Sequence, residues 1–392
     1  MSRGMDRILN LDDFEVAARR HLPAPIFAYV SGGVERNQSL RANFRAFEDY
    51  EFIPRVLVDT TRRSAATTLF GKEWSAPFGI APMGVSALSA YRGDLVQTQG
   101  ARAENVPMIM SGSSLIRLED VAQANPDAWF QAYLPGIDEH IVGLVDRVKA
   151  TAFQTLVITV DVAVSANREN NVRAGFSTPL RPGPRLAWQG ITHPRWLFGT
   201  FLKTIAKHGM PHFENNLATR GAPILSSSVN RMFSDRANLA WRHIRLIRDR
   251  WPGRLVVKGV LDPRDARLAI DNGADGVIVS NHGGRQLDGS VSPMRVLPAI
   301  VKACPEIPVM IDSGFRRGTD VVKALALGAK FVFIGRPFNY AASIGGEAAV
   351  RRGIALLREE VMRDMGMLGV NTTAELHPGL LAGPGASPAS SA

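Results

Sequence analysis

The sequence predicts an α/β fold: a (β/α)8 TIM barrel with an N-terminal helical segment and one long insertion after the fourth strand. Three observations predict it. From residue 76 onward, short apolar runs closed by Gly, Pro, Asp or Ser alternate with amphipathic stretches long enough for helices, the mark of repeated βα units. Eight such runs occur: Pro77 to Ala81, Val106 to Met110, Trp129 to Tyr133, Leu156 to Asp161, Leu255 to Gly259, Gly276 to Ser280, Val309 to Asp312 and Phe331 to Gly335. Polar side chains gather at their C-terminal ends, where barrels do their chemistry. Gln131 and Tyr133 end the third run, Thr159 and Asp161 the fourth, Lys258 the fifth, Ser280 and His282 the sixth, Asp312 the seventh and Arg336 the eighth. Successive runs lie about one unit apart, except that some 95 residues separate the fourth from the fifth. No Gly-x-Gly-x-x-Gly follows an early run, which argues against a doubly wound dinucleotide fold.

Ahead of the barrel, Asn10 reads as a helix cap, followed by Leu11, Phe14, Ala18 and Leu22 at helical spacing. Pro23 restarts the chain, and a second short helix around Ile26 to Val30 stops at Gly32-Gly33. Residues 1–382 are expected to form one domain, with the barrel at about 76–350 and the insertion at about 176–235. Residues 383–392, rich in Pro, Ser, Gly and Ala, read as a disordered tail.

At 392 residues, 45% hydrophobic and 21% charged, the chain can bury a large core. Its single cysteine, Cys304, rules out an internal disulfide, and no Cys/His cluster has metal-ligand spacing, so no metal is expected. The first ten residues lack an apolar export stretch, and nowhere do 18 apolar residues follow one another. A cytoplasmic protein is expected, one that could lie peripherally on the inner face of the cell membrane. The formal charge of +10 suits acidic small molecules, lipid headgroups or nucleic acid, or is simply a solvated basic surface.

Three constellations carry chemistry. Gly314-Phe315-Arg316-Arg317-Gly318 after the seventh run and Gly335-Arg336-Pro337 after the eighth stand where barrels bind phosphate with backbone N–H groups. Two glycine turns with solvated arginines are the plainer alternative. In Ser280-Asn281-His282-Gly283-Gly284-Arg285-Gln286-Leu287-Asp288, a histidine able to take a proton near neutral pH has glycines beside it that admit a planar ligand. Arg285 could clamp a carboxylate while His282 works on the adjacent carbon. Asp161 could stabilise a protonated imidazole across the mouth and Arg168 could offer a second clamp, or the two could form a structural ion pair. Lys258 could form a Schiff base or present fixed charge to a cofactor.

On these motifs, together with Leu22-Pro23, Ala81-Pro82, Gln131-Ala132-Tyr133 and Asp312-Ser313-Gly314, the chain resembles the FMN-dependent L-2-hydroxy acid oxidases and dehydrogenases over about residues 10–375. The resemblance implies oxidation of a small L-2-hydroxy acid of the lactate or mandelate type to the 2-oxo acid. His282 would remove the α-proton, assisted by Asp161, as electrons pass to flavin N5. Arg168 and Arg285 would bind the substrate carboxylate, with Tyr29 and Tyr133 beside the substrate. Lys258 would stabilise the reduced ring, which speaks against a Schiff base. Ala81, Pro82, Met83, Ser111, Gln131, Thr159 and Ser280 would contact the flavin, and Asp312, Gly314, Arg316, Gly335 and Arg336 its phosphate tail. A homotetramer is also implied. Met83 stands where many relatives carry threonine and Ser113 where glycolate oxidase carries tryptophan, so a polar flavin contact is in question and the pocket is differently shaped. Asp161-Val162-Ala163-Val164 and Ser292-Pro293-Met294 look most like the mandelate dehydrogenase branch.

The insertion interleaves aromatics with bases: Trp188, His193-Pro194-Arg195-Trp196, Phe198, Phe201, Lys203, Lys207, His208 and Met210. That pattern suits the surface of an anionic bilayer, or else a lid or an oligomer contact. With a membrane anchor, a quinone or similar acceptor would take the electrons. A soluble oxidase that makes hydrogen peroxide is the alternative. Arg242, Arg245, Arg248 and Arg250 read as a solvated helix face that could add to lipid attraction. A flavin isomerase would not explain the two arginines around His282, and a nucleic-acid-binding protein has only the net charge behind it.

Overall fold

A computed structural model of the chain describes residues 5–177, 179–181, 183–226 and 236–384. Its centre is a ring of parallel strands: β1 (Phe78–Ile80), β2 (Ile109–Ser111), β3 (Trp129–Ala132), β4 (Thr155–Thr159), β5 (Arg254–Val260), β6 (Gly276–Val279), β7 (Val309–Asp312) and β8 (Phe331–Ile334). They lie in the order β1-β8-β7-β6-β5-β4-β3-β2. A parallel bridge between Ile80 and Met108 joins β1 to the residue before β2 and closes the barrel. Each of the eight expected runs overlaps one strand. β2 starts three residues later than its run because Pro107 has no N–H for the ladder and Pro107 O instead accepts from Ile80 N at 2.9 Å.

The strands are apolar on both faces because both are covered. Ile109, Trp129, Val157, Val256, Ile278, Met310 and Phe331 point inward and pack together, so the barrel interior is a filled core. A hairpin of Thr67–Leu69 and Lys72–Trp74 seals the end where the strands begin, its Leu69 and Trp74 joining that inner cluster. The mouth at the strands' other ends stays open.

The N-terminal helix runs Leu11–His21, and Asn10 caps it by accepting from Asp12 N at 2.9 Å and Asp13 N at 3.1 Å. Its buried face of Leu11, Phe14 and Ala18 meets the final helical stretch Arg336–Leu368, which is broken by a kink at Gly345-Gly346, at Gly353, where a side chain would press on Phe14. The next helix, Ala24–Ser31, ends at Gly32 and lays its last carbonyls across the barrel mouth. Near the C-terminus, Leu381–Ala382 pairs with Glu51–Phe52. Of the expected disordered tail, residues 385–392 fall outside the described residues.

The insertion departs from the sequence expectation in part. Trp188 and Phe198 are exposed, but Trp196 is buried and donates its indole N–H to Leu88 O at 2.7 Å. Lys203 lies over the Tyr91 ring at 4.0 Å, and His208 meets the Tyr91 hydroxyl at 2.9 Å. Trp196, Lys203 and His208 therefore fasten the insertion to the barrel. The arginine-rich helix Trp241–Arg250 keeps Arg242, Arg245 and Arg250 exposed, as a solvated face does, and pairs three of its arginines with acids. Arg242 pairs with Asp138 at 3.0 Å, Arg248 with Asp275 at 2.9 Å and Arg250 with Asp146 at 2.6 Å. These acids come from other elements, so their pairing has no signature in local sequence.

Candidate active site

The mouth opens into a cavity of about 650 Å³ lined by the ends of the strands and the loops after them. The loop after β6 enters it through an unusual backbone. His282 has φ 58°, a left-handed conformation that costs a non-glycine residue about 1–3 kcal/mol and persists only where its surroundings enforce it. The enforcement is visible. Ser280 Oγ accepts from His282 N at 3.0 Å, Ser313 Oγ from Gly283 N at 3.0 Å and Asn281 Oδ1 from Gly284 N at 3.1 Å. Asn281 is itself locked by a two-way amide pair with Asn43 at 2.7 and 2.8 Å. Gly284, at φ 71°, has no room for a Cβ, which would lie 2.5 Å from Leu40 N.

The loop delivers the imidazole to Asp161. His282 Nδ1 stands 2.9 Å from Asp161 Oδ1, and Nε2 stands 3.3 Å from the Tyr133 hydroxyl. Burial works against an ionised Asp161, but His282 and Lys258 outweigh it and hold the carboxyl below its ordinary value. An ionised carboxylate only accepts, so Nδ1 donates to it and Nε2 keeps its lone pair facing the cavity. Burial lowers the imidazole pKa despite the opposing pull of Asp161, and burial raises that of the Tyr133 phenol. Near neutral pH the site thus holds a neutral base beside a protonated phenol. Asp161 can approach this closely because β5 bulges at Gly259, where a Cβ would sit 2.7 Å from that of Asp161.

Lys258, at the same bulge, forms an ion pair with Asp312 at 2.9 Å and donates to Ser280 Oγ at 3.0 Å. Burial opposes its charge, but Asp312 and Asp161 more than compensate, so its pKa is raised and the ammonium persists. A lysine held charged is a poor Schiff-base nucleophile. Asp312, expected beside the cofactor's phosphate tail, lines the cavity and is also the counter-ion of Lys258 and the acceptor of Ser313 Oγ at 2.8 Å.

Three arginines crowd the next wall. Arg285 donates through Nη1 to Tyr29 O at 2.7 Å and Gly32 O at 2.8 Å and lies over the Tyr29 ring at 5.1 Å. Arg168 reaches Arg285 O at 3.2 Å and Gln286 Oε1 at 2.7 Å, so the alternative of an Asp161–Arg168 ion pair does not hold. Arg336 opens the last helix and donates to Val30 O, Gly32 O and Gly283 O at 2.9, 2.9 and 3.0 Å. Burial, with repulsion from Arg168 and Arg336, pushes the Arg285 guanidinium down to about 9, and burial, with repulsion from Arg316 and Arg168, pushes that of Arg336 down to about 10. Both stay charged at neutral pH. An anion between them would relieve the repulsion.

Ala81, Pro82 and Met83 line the cavity after β1, and Gly314, Arg316 and Gly335 line it after β7 and β8. Arg316 also reaches Asp12 and Glu15 of the N-terminal helix, each at 3.5 Å. Ser111, Gln131 and Ser280 lie just beneath the lining. A flavin mononucleotide fits these donors. Gln131 Nε2, Thr159 Oγ1 and Asp161 Oδ2 are buried without a hydrogen-bond partner among the described residues. Buried polar atoms at a site are ordinarily satisfied, and the polar edge of a bound flavin would supply partners of the kind they lack. Gly314 N, Gly335 and the Arg316 and Arg336 side chains suit its phosphate.

Several residues at the site escaped sequence reasoning. Ser313, at φ 83°, links the His282 loop to Asp312, and only its place inside Asp312-Ser313-Gly314 could have marked it. Phe176, Phe213 and Arg236 reach the cavity from the insertion, where no periodicity singles them out.

Comparison with known proteins agrees with this geometry. The family model described as FMN-dependent dehydrogenase matches residues 18–383. The chain is 36% identical over 376 residues to (S)-mandelate dehydrogenase of Pseudomonas putida, covering 95% of this chain and 94% of that one. It is 38% identical over 374 residues to L-lactate dehydrogenase of Ectopseudomonas mendocina (strain ymp), covering 94% and 97%. Among solved structures, a crystal structure of the monotopic membrane protein (S)-mandelate dehydrogenase superposes with a TM-score of 0.89 at 36% identity, covering 96% of this chain and all of that one. A mandelate oxidase variant superposes with a TM-score of 0.78 at 31% identity, covering 95% and 98%.

The pair of His282 and Asp161 makes a signed prediction. Histidine-labelled protein followed by NMR across pH will show the His282 imidazole titrating below its ordinary value of 6.5. Asp161→Asn removes a carboxylate that raises this pKa and will move the midpoint lower still. An unchanged or higher midpoint in that variant would contradict the pairing.

Proposed function

Because the chain belongs to the FMN-dependent dehydrogenase family and is an FMN-dependent oxidoreductase, we propose that it oxidises a small L-2-hydroxy acid, of the lactate or mandelate type, to the 2-oxo acid. The observation that carries this reading is the neutral Nε2 of His282, backed by Asp161 and set beside Arg168 and Arg285. A 2-hydroxy acid asks for that combination: a fixed carboxylate and a base within reach of the adjacent carbon.

Arg285 and Arg168 hold the substrate carboxylate, each with its guanidinium fork already aimed by backbone or side-chain acceptors on the other side. Tyr29 and Tyr133 flank the acid and exclude water from its polar head. His282 Nε2 takes the proton lost from C2, and Asp161 stabilises the imidazolium that forms. Two electrons and two protons leave the substrate as the C2–O bond becomes a carbonyl: His282 takes the C2 proton, and the hydroxyl proton would go with the two electrons to the cofactor. FMN, when bound, supplies the acceptor for the two electrons. Lys258, kept charged by Asp312, provides a fixed cation for the negative charge that the cofactor gains. Ala81, Pro82, Met83, Ser111, Gln131, Thr159 and Ser280 hold the ring system, and Gly314, Arg316, Gly335 and Arg336 the phosphate.

For the second half-reaction we favour a quinone or similar acceptor at a membrane surface. No helix among the described residues is long and apolar enough to cross a membrane. Trp188, Ile191 and Phe198 of the insertion are nonetheless 64%, 63% and 66% exposed, an apolar patch beside basic residues. A related protein is described as monotopic. A dioxygen-using oxidase is the competing reading, supported by the likeness to mandelate oxidase.

Two experiments follow. His282→Ala will keep its bound yellow cofactor, read from the visible spectrum, and lose about 10²- to 10⁴-fold in turnover of an L-2-hydroxy acid. Near-normal turnover would remove His282 from the role of base. Replacing both Trp188 and Phe198 by Ser, at exposed sites that leave the core intact, will weaken sedimentation with anionic vesicles at least tenfold, since each buried aromatic contributes roughly 1.5–3 kcal/mol. Equal sedimentation of variant and parent would end the membrane assignment.

A further inference from the structure

The reaction outlined above leaves one buried acid beside the barrel mouth unused. Asp94 is 1% exposed and stands in the first turn of the helix Gly93–Ala103. It meets the loops that follow β1 and β2. Ala81, Pro82, Met83 and Gly84 of the first loop and Ser113 of the second line the cavity, whereas Asp94 reaches both loops from behind.

Ser86 Oγ donates to Asp94 Oδ2 at 2.6 Å, and the Ser114 hydroxyl bonds to the same carboxyl. Gly93 brings the helix so close to the first loop that a Cβ there would lie 2.4 Å from Ser86 O. Ser114 Oγ accepts from Ile116 N at 3.0 Å, which leaves its proton for Asp94. Next to these serines the two loops are bonded to each other, Val85 N to Ser113 O at 3.1 Å. Val85 has φ 55° and Arg92 φ 51°, left-handed conformations that a non-glycine residue keeps only where its surroundings enforce them. Ser86 lies between those two positions, so its bond to Asp94 is part of that enforcement.

The charge on the carboxyl decides how it bonds. Burial pushes it up to about 6, against the pull of Ser86, Ser114 and its own backbone N–H. Among the described residues, no charged side chain offsets that burial from the elements packed against its helix: the turn Ser86–Ser89, the helix Leu118–Ala124 and the stretch Arg336–Leu368. Arg92, its near neighbour, is drawn instead to Asp120 at 3.1 Å. Near neutral pH the group is an anion that accepts from both serines, supported by the helix N-terminus. In acid it gains a proton, and a neutral carboxyl needs an acceptor for its own O–H where both neighbours are donors.

We propose that Asp94 is a positioning residue for the cofactor: its carboxylate draws in Ser86 and Ser114 and thereby fixes the two loops that receive the flavin ring. This rests on the FMN site described above and is independent of which acid is oxidised.

FMN affinity is the test. The holoenzyme is diluted at about pH 7.5 and at about pH 5, on either side of the Asp94 titration, and the FMN dissociation constant is read from the fluorescence of released flavin. Asp94→Asn, of the same shape but uncharged, will weaken FMN binding at least about tenfold at the higher pH, because hydrogen bonds to a charged acceptor are lost. At the lower pH, where the parent's carboxyl is itself protonated, variant and parent will agree within about twofold. The ratio of the two proteins at each pH cancels the titration of the FMN phosphate and of His282, and a merely structural role for Asp94 would give the same ratio at both. Ser86→Ala keeps the charge but removes a donor, so it will shift the loss of FMN affinity to higher pH; it tests the proposal alone if Asp94→Asn does not fold. A ratio near one at the higher pH, the same ratio at both, or an unshifted transition in Ser86→Ala would overturn the proposal while leaving the FMN site in place. If the parent binds no FMN at either pH, that site falls and this proposal with it.

Discussion

The site turns on the 2.9 Å contact between Asp161 and His282, because two opposing demands meet there. Burial alone would give a weak base and a protonated carboxyl. Together, the carboxylate stays ionised and fixes the tautomer, while the imidazole stays neutral with its lone pair facing the cavity. Breaking such a buried pair typically costs about 3–5 kcal/mol. Much of the surrounding architecture keeps the two groups in register. The β5 bulge at Gly259 makes space for Asp161, and Ser280, Ser313 and the Asn281–Asn43 pair hold His282 in its left-handed conformation. The barrel brings these pieces together from β4, β5, β6 and β7.

A second layer of charge surrounds that pair. Lys258 is tied to Asp312, and Arg285 and Arg336 share the backbone carbonyls of Val30 and Gly32 at the end of the helix Ala24–Ser31. Those carbonyls partly neutralise the arginines without consuming them, since each guanidinium has five donors. The cluster is therefore stable enough to fold and still under-neutralised. That is the electrostatic state expected of a pocket that takes up an anionic cofactor and an acid substrate.

The sequence made the barrel readable because each strand is buried on both faces and so appears as a short apolar run, and because the turn residues between runs are explicit. His282, Asp161 and Arg285 were readable because strand ends in a barrel converge. Legibility failed where a residue's partner comes from a distant element. Trp196 looked like an interfacial aromatic, yet its indole bonds to Leu88 O; the acids Asp275 and Asp146, which pair with Arg248 and the exposed Arg250, come from distant elements and had no local mark. Asp312 was placed at the cofactor by resemblance alone, and its ion pair with Lys258, from another strand, had no local signature.

The claim that this charge-lined mouth oxidises an L-2-hydroxy acid is tested most directly by mixing the FMN-loaded protein, without oxygen, with each enantiomer of lactate, mandelate and 2-hydroxyglutarate. The account predicts that at least one L-acid bleaches the flavin band and yields one equivalent of the 2-oxo acid per FMN, while the D-acids leave the colour unchanged. A band that persists with every L-acid, or bleaches equally with both enantiomers, would contradict it.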